Sequence, residues 1–157
     1  MPNWNQNNVT FSNNDAAQIA KIKAVIENEQ SIMRTFVPLN SDEYDSALDA
    51  WGTKWADSDV FVLEETPNSI KVSFDTAWCP PINFYNAMER LGFEIQAYYM
   101  EPGIGFVGKY STEDGDNEYE LVMNPEVIQE TIPQDIIDEF NLVEYATEYA
   151  EKYDDAA

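Results

Sequence analysis

Residues 70–99 read IKVSFDTAWCPPINFYNAMERLGFEIQAYY. Ile70, Val72 and Phe74 alternate with Lys71, Ser73 and Asp75, the period-2 pattern of a strand that buries one face. Pro80 and Pro81 suit a helix start, because proline presets the helical φ and its missing N–H is not needed in the first turn. Phe84, Ala87, Met88 and Leu91 recur at three- and four-residue steps, and Gly92 stands where a helix-ending glycine belongs. Phe93, Ile95, Ala97 and Tyr99 return to alternation. The stretch is therefore strand, helix (81–91), strand.

Upstream, Val9-Thr10-Phe11 reads as a short strand. Ser12-Asn13-Asn14-Asp15 offers N-cap oxygens, with Gln18 three residues after Asp15, and Ile19, Ile22, Val25 and Ile26 mark a helix over 15–28. Residues 42–51 form a short helix through Tyr44, Ala47, Leu48 and Trp51. Val60 to Leu63 pairs with Ile70 to Phe74 as a hairpin closed by Thr66-Pro67-Asn68-Ser69. The order is βαββαβ, so the expected fold is an α+β, ferredoxin-like sandwich with helices on one face of an antiparallel sheet.

Downstream, Glu101-Pro102-Gly103-Ile104 suits a type II turn, the chain returns through Phe106 to Tyr110, and a last strand over Glu118 to Met123 puts Tyr119, Leu121 and Met123 on one face. This C-terminal β extension is followed by an acidic helical tail punctuated by Pro125 and Pro133. Pro133 opens a helix through Ile136, Ile137 and Phe140, which Leu142 to Tyr153 continues. The expected organisation is a ferredoxin-like domain over 1–124 and an acidic extension over 125–157 packed on the same core.

A chain of 157 residues with 44% apolar and 13% aromatic side chains is one core-forming domain that needs no disulfide or structural metal. Thirty acidic against eight basic side chains give a net charge of -22, and 15 of the acids fall in residues 111–157 with Lys152 the one base there. That sign excludes direct nucleic-acid binding and disfavours anionic membrane surfaces. No run reaches the length of a spanning helix, and Met1 to Asn8 lacks the basic and apolar regions of a signal peptide, so a cytoplasmic location is expected. Cys79 is the single cysteine and histidine is absent, which removes intramolecular disulfides, thiolate-rich zinc sites and the commonest general base. No cofactor is expected, and the oligomeric state is open.

Four pieces in order carry a resemblance: Met1-Pro2-Asn3-Trp4-Asn5-Gln6-Asn7-Asn8-Val9-Thr10-Phe11; Trp51-Gly52-Thr53-Lys54-Trp55; Phe74-Asp75-Thr76-Ala77-Trp78-Cys79-Pro80-Pro81; and Tyr99 to Gly108. Over residues 1–110 the chain resembles the YubB ferredoxin-like family of bacteriophage and conjugative-plasmid proteins. The resemblance implies the fold and a mobile-element origin, and no catalytic residues. Relatives often carry Cys where this chain has Asn5, and the acidity after residue 110 departs from the family.

Gly103-Ile104-Gly105-Phe106-Val107-Gly108 satisfies G-x-G-x-x-G, but a turn precedes it and strand-like residues follow, so the glycines are better read as permitting a bent strand or a close approach than as a phosphate cradle. Trp51, Lys54, Trp55 and Trp78 form a candidate aromatic and cationic surface, against indoles that close the core. Cys79 lacks an activating His. Residues 113–120 are dense in carboxylates, yet the glycine falls too early for a Ca²⁺-binding EF-hand loop. A hairpin turn that exposes Asp116, Glu118 and Glu120 on one strand face is the better reading. In the tail, Leu142, Tyr145, Ala146, Tyr149 and Tyr153 cluster on one side, the expected docking side, and Glu144, Glu148 and Glu151 form a stripe on the other.

The expected function is non-enzymatic: an acidic phage- or plasmid-encoded protein that binds and inhibits a host protein with a basic surface. The candidate contacts are Glu144, Glu148, Glu151, Asp116, Glu118, Glu120, Trp51 and Trp55. Host takeover or anti-defence through nucleic-acid mimicry fits this charge, with a nuclease, a DNA-binding defence protein or an ATP-dependent protease as target. The alternative is a small-ligand or Ca²⁺-binding module. A carboxylate-based, metal-dependent hydrolase ranks last.

Overall fold

A computed structural model describes residues 3–41 and 44–154. The start of the first resembling piece, Met1-Pro2, lies outside them, as do Asp42 and Glu43 of the helix expected over 42–51. The elements run β1 (Trp4–Ser12), α1 (Ala16–Glu27), α2 (Ile32–Phe36), α3 (Tyr44–Trp51), β2 (Ser58–Thr66), β3 (Ser69–Ala77), α4 (Ile82–Arg90), β4 (Glu94–Glu101), β5 (Phe106–Ser111), β6 (Gly115–Glu120), α5 (Pro125–Thr131), α6 (Gln134–Phe140) and α7 (Leu142–Asp154). The sheet order is β2-β3-β1-β4-β5-β6 and every pairing is antiparallel. The first four strands are those of the ferredoxin-like α+β sandwich, and β5 and β6 extend it as a meander.

Local chemistry explains the boundaries. Asp15 caps α1 by accepting from the Ala17 N–H at 3.0 Å. Asp57, just before β2, accepts from the Ser31 hydroxyl at 2.6 Å and the Met33 N–H at 2.9 Å, which ties α2 to the loop after α3. Ser31 caps this helix by accepting the Arg34 N–H at 3.0 Å, and five residues are too few for hydrophobic spacing to signal it. β1 begins at Trp4, five residues before the expected strand. Its polar run Asn5-Gln6-Asn7-Asn8 hides the alternation, since the inward groups Asn5 and Asn7 are asparagines hydrogen-bonded to one another and to Thr76.

Alternation along the strands divides the sheet into two faces with separate cores. On one, Val9, Phe11, Ile70, Val72, Phe74, Ile95 and Ala97 pack with residues of α1 to α4. On the other, Met100, Val107 and Leu121 pack with Ile128, Ile132, Ile136, Ile137, Leu142 and Ala146. The tail helices therefore do not join the first core: they make a second cluster on the opposite face. The sandwich helices stand on one face as expected, and the extension covers part of the other. Nor does α6 continue into α7. Asn141 takes a left-handed conformation (φ 50°) between them, which Asn tolerates better than most side chains. The last strand spans Gly115–Glu120 instead of Glu118–Met123, because the β5–β6 turn closes early, with Ser111 opposite Gly115.

Two basic side chains clamp this outer layer to the sheet. Lys109 of β5 meets Asp135 of α6 at 2.8 Å, and Lys71 of β3 meets Glu139 at 2.7 Å. The Tyr98 hydroxyl also donates to Asp135 at 3.2 Å. Partial burial pushes the Asp135 carboxyl up, but the bonds and charge of Lys109 and the Tyr98 bond outweigh it, so its pKa lies below the usual 3.8. A folded-state pKa below the unfolded one adds stability above the unfolded value and loses it as pH falls through the folded one. Asp135→Asn is therefore expected to lower stability by a constant amount from pH 5 to 8. The gap to the parent should close below about pH 4. Urea melts at pH 7 and pH 3 check this, and a gap undiminished at pH 3 would show that the clamp is not electrostatic. Among the described residues no helix is long and apolar enough to cross a membrane.

Candidate functional site

The Trp51–Trp55 piece follows α3 and closes the first core. Trp51 is fully buried and its Nε1–H donates to the Val37 carbonyl at 2.8 Å, so it is not a contact residue as expected but a core residue. The guanidinium of Arg34 lies 5.5 Å from its ring centroid. The next buried group is Thr53, whose hydroxyl donates to the Ala77 carbonyl at 2.7 Å. Trp55 is exposed, with Lys54 Nζ 4.8 Å from its ring centroid, and its indole rests against Trp4, centroids 6.1 Å apart. Trp78 is exposed too and held at φ 72°, a strained conformation for a bulky side chain. Its N–H is fixed by the Asn3 carbonyl at 2.8 Å.

Behind this rim the interior is polar. Asn5 Nδ2 donates to Asn7 Oδ1 at 2.7 Å, and Asn7 Nδ2 donates to Thr76 Oγ1 at 3.0 Å and to the Phe74 carbonyl at 3.2 Å. The Thr76 hydroxyl donates onward to the Cys79 carbonyl at 2.7 Å. These bonds anchor the 77–81 turn to β1. The Cys79 thiol donates to the Gly52 carbonyl at 3.1 Å. Burial pushes its pKa up, a hydrogen bond from Thr53 opposes this, and the charge of Glu118 raises it further, so the thiol is a poor nucleophile.

The glycines of residues 103–108 have structural causes. A Cβ on Gly103 would lie 2.8 Å from the Asn3 side chain and from Glu101 Oε1. Glu101 is itself buried, and its carboxylate accepts the Gly103 and Ile104 N–H groups at 2.6 and 2.8 Å, pinning the turn. Gly105 has φ 101°. A Cβ on Gly108 would lie 2.3 Å from the Tyr99 hydroxyl oxygen. The space a phosphate would need is taken by a carboxylate and a phenol.

The remaining candidates separate by face. Gly108 pairs with Glu118, Tyr110 with Asp116 and Phe106 with Glu120, so these three acids point to the side of α1 and α4. Glu118 and Glu120 are exposed, whereas the Asp116 carboxylate accepts the Tyr99 hydroxyl at 2.5 Å. Burial first, and then this bond and charge, drive the Tyr99 pKa far up, so the phenol stays protonated. Glu144, Glu148 and Glu151 are exposed on α7, in the layer over the opposite face. Of the expected docking side of α7, Leu142 and Ala146 are buried and Tyr145 is half-buried, while Tyr149 and Tyr153 are exposed and stack on one another with centroids 4.5 Å apart. Asp116, Glu118 and Glu120 thus do not converge with the tail stripe. No group of three or more Cys, Asp or Glu among the described residues could hold a metal ion. Sequence reasoning missed the exposed Trp4 and Phe61. Each sits in a strand-like run whose place in the sheet, not its composition, leaves it uncovered.

No curated protein matches the chain. A crystal structure of a protein api92 from Yersinia pseudotuberculosis is similar at 23% identity and a TM-score of 0.39, over 50% of this chain and 30% of that one. The chain thus spans under a third of that protein's length. The family model described as the ferredoxin-like domain in Api92-like protein matches residues 50–147, from the end of α3 through β2 to β6 and into α7, leaving β1 outside. With more than half its length so matched, the chain belongs to the family of ferredoxin-like domains of Api92-like proteins.

Proposed function

We propose that the protein is a non-enzymatic, mobile-element-encoded inhibitor that acts in the host cytoplasm by binding a basic surface of a host protein. The observation that carries this reading is the outer side of α7, where Glu144, Glu148 and Glu151 are all exposed while the helix is held by Leu142 and Ala146. These carboxylates contribute nothing apolar to the fold, and in a chain of net charge -22 they add to self-repulsion. Their effect is favourable toward a positive partner, whose approach they steer. A nuclease, a DNA-binding defence protein or an ATP-dependent protease offers such a surface. With its acids divided between two faces of the sheet, the protein has the charge of nucleic acid without a single continuous track of it.

Glu144→Lys, Glu148→Lys and Glu151→Lys, combined, are expected to weaken partner binding at least tenfold, which is about 1.4 kcal/mol, mainly by slowing association. Lysine keeps helix propensity, so the circular dichroism spectrum should not change. Surface-plasmon kinetics against the captured partner at low and high salt check this. An unchanged association rate with an unchanged spectrum would make the stripe a solvated face.

A further inference from the structure

The C-terminal layer covers only part of its face of the sheet. Its cluster draws strand residues from β4, β5 and β6, and it reaches β1 and β3 through Glu139, which accepts from Asn8 Nδ2 at 3.2 Å and pairs with Lys71. On the same face, Trp4 pairs in register with Ala77, Gln6 with Asp75, and Phe61 with Ser73. Trp4 is 44% and Phe61 65% exposed, and Trp55 leans on Trp4 from the loop before β2. Among the described residues no helix lies over the β2–β3–β1 part of the face, which presents aromatic rings to solvent, the usual mark of an interaction surface.

The charge around these rings selects the partner. Asp75 is half-buried in the patch, and burial first and the charge of Asp59 second hold its carboxyl above the ordinary value. Lys71, the basic residue on this face of β3, is engaged by Glu139 at 2.7 Å. Two neighbouring carboxylates, one same-face step along β3 from the position opposite Phe61, suit a guanidinium, which stacks on a ring and pairs with carboxylate at once. A second copy of the chain is a poor occupant. Pairing β2 with itself about Val62 would set Asp59 against Glu65, and β2 is interrupted by register shifts that blunt an edge.

We propose that this uncovered sheet surface docks an arginine-bearing segment of a basic protein, with guanidinium groups stacked on Trp4 and Phe61 and paired with Asp59 and Asp75. The proposal rests on the reading that the partner is a basic protein, and it adds a docking site on the sheet to the tail carboxylates that steer the partner's approach.

The test titrates the full chain with two twelve-residue peptides of equal charge, one arginine-rich and one lysine-rich, following tryptophan fluorescence at 150 mM NaCl. The arginine peptide is expected to bind at least tenfold more tightly than the lysine peptide. Trp4→Ser with Phe61→Ser should abolish that preference, and so should Asp59→Asn with Asp75→Asn, a second variant that removes no apolar contact. The α7 triple lysine variant should weaken both peptides alike and keep the preference. Equal binding of the two peptides, or a preference that survives both patch variants, overturns the sheet site while leaving the basic-partner reading intact. Failure of both peptides to bind even at 20 mM NaCl overturns both readings. A dimer in sedimentation that the Trp4 and Phe61 changes dissolve would assign the surface to a second copy and overturn the proposal.

Discussion

Trp51→Ala is expected to lower the melting temperature by on the order of 10 °C, the equivalent of about 3–5 kcal/mol in a domain of this size. The indole is fully buried in the first core, and nothing nearby can fill its volume without moving α3 off α4. Its removal also strips the Val37 carbonyl of its 2.8 Å donor and Arg34 of the ring its guanidinium faces. Trp51→Phe separates the two contributions, because it keeps most of the packing and loses the hydrogen bond, so its cost should be less than half as large. Trp55→Ala is the control: its ring is exposed and holds no core position, so the melting temperature should shift by no more than a few degrees. Thermal melts of the three variants check this, and equal losses at Trp51 and Trp55 would contradict the assignment of one indole to the core and the other to the surface.

Gly108→Ala is the second large effect, expected at about 1–3 kcal/mol. A methyl at this position would stand 2.3 Å from the Tyr99 hydroxyl oxygen, 2.4 Å from its Cζ and 2.5 Å from the Asn117 carbonyl. The last of these is backbone of the neighbouring strand and cannot swing away. Tyr99→Phe should therefore fail to rescue the variant, since the ring carbon and the carbonyl remain in place. Gly115→Ala isolates the conformational component, because its φ is 72° while a Cβ there would meet nothing within 4 Å. It should cost only about 1 kcal/mol. Urea denaturation of the single and double variants measures these differences. A rescue by Tyr99→Phe would mean that the hydroxyl alone sets the constraint.

The two predictions also explain which parts of the candidate site could be seen in advance. G-x-G-x-x-G at residues 103–108 is a pattern in the letters, and its rejection followed from the turn before it and the strand after it. What occupies the space instead, Glu101 at one end and Tyr99 at the other, is set by side chains that meet across strands. Trp51 and Trp55 are alike as letters, four residues apart. Only the path of the chain after α3 places one under Val37 and the other against Trp4. The tyrosines of α7 misled for a related reason. Helical spacing puts Leu142, Tyr145, Ala146, Tyr149 and Tyr153 on one side, but only the first turns of the helix join the second core, so Leu142 and Ala146 are buried while Tyr149 and Tyr153 are left exposed.

The sequence by itself determined the βαββαβ order, the helix at 82–90 and the hairpin before it, the C-terminal meander and the exposure of the α7 carboxylates. Each of these follows from spacing along the chain, because backbone geometry turns a period of 2 or 3.6 into a buried stripe within a few residues. Tertiary structure decided that the tail covers the opposite face of the sheet around its own core, that Asp116, Glu118 and Glu120 lie on the far side from Glu144, Glu148 and Glu151, and that Trp4 and Phe61 remain uncovered. Those outcomes depend on which strand ends at an edge and on which face a later helix finds apolar surface free. Both are properties of pairings between segments distant in the chain, and no local period encodes them.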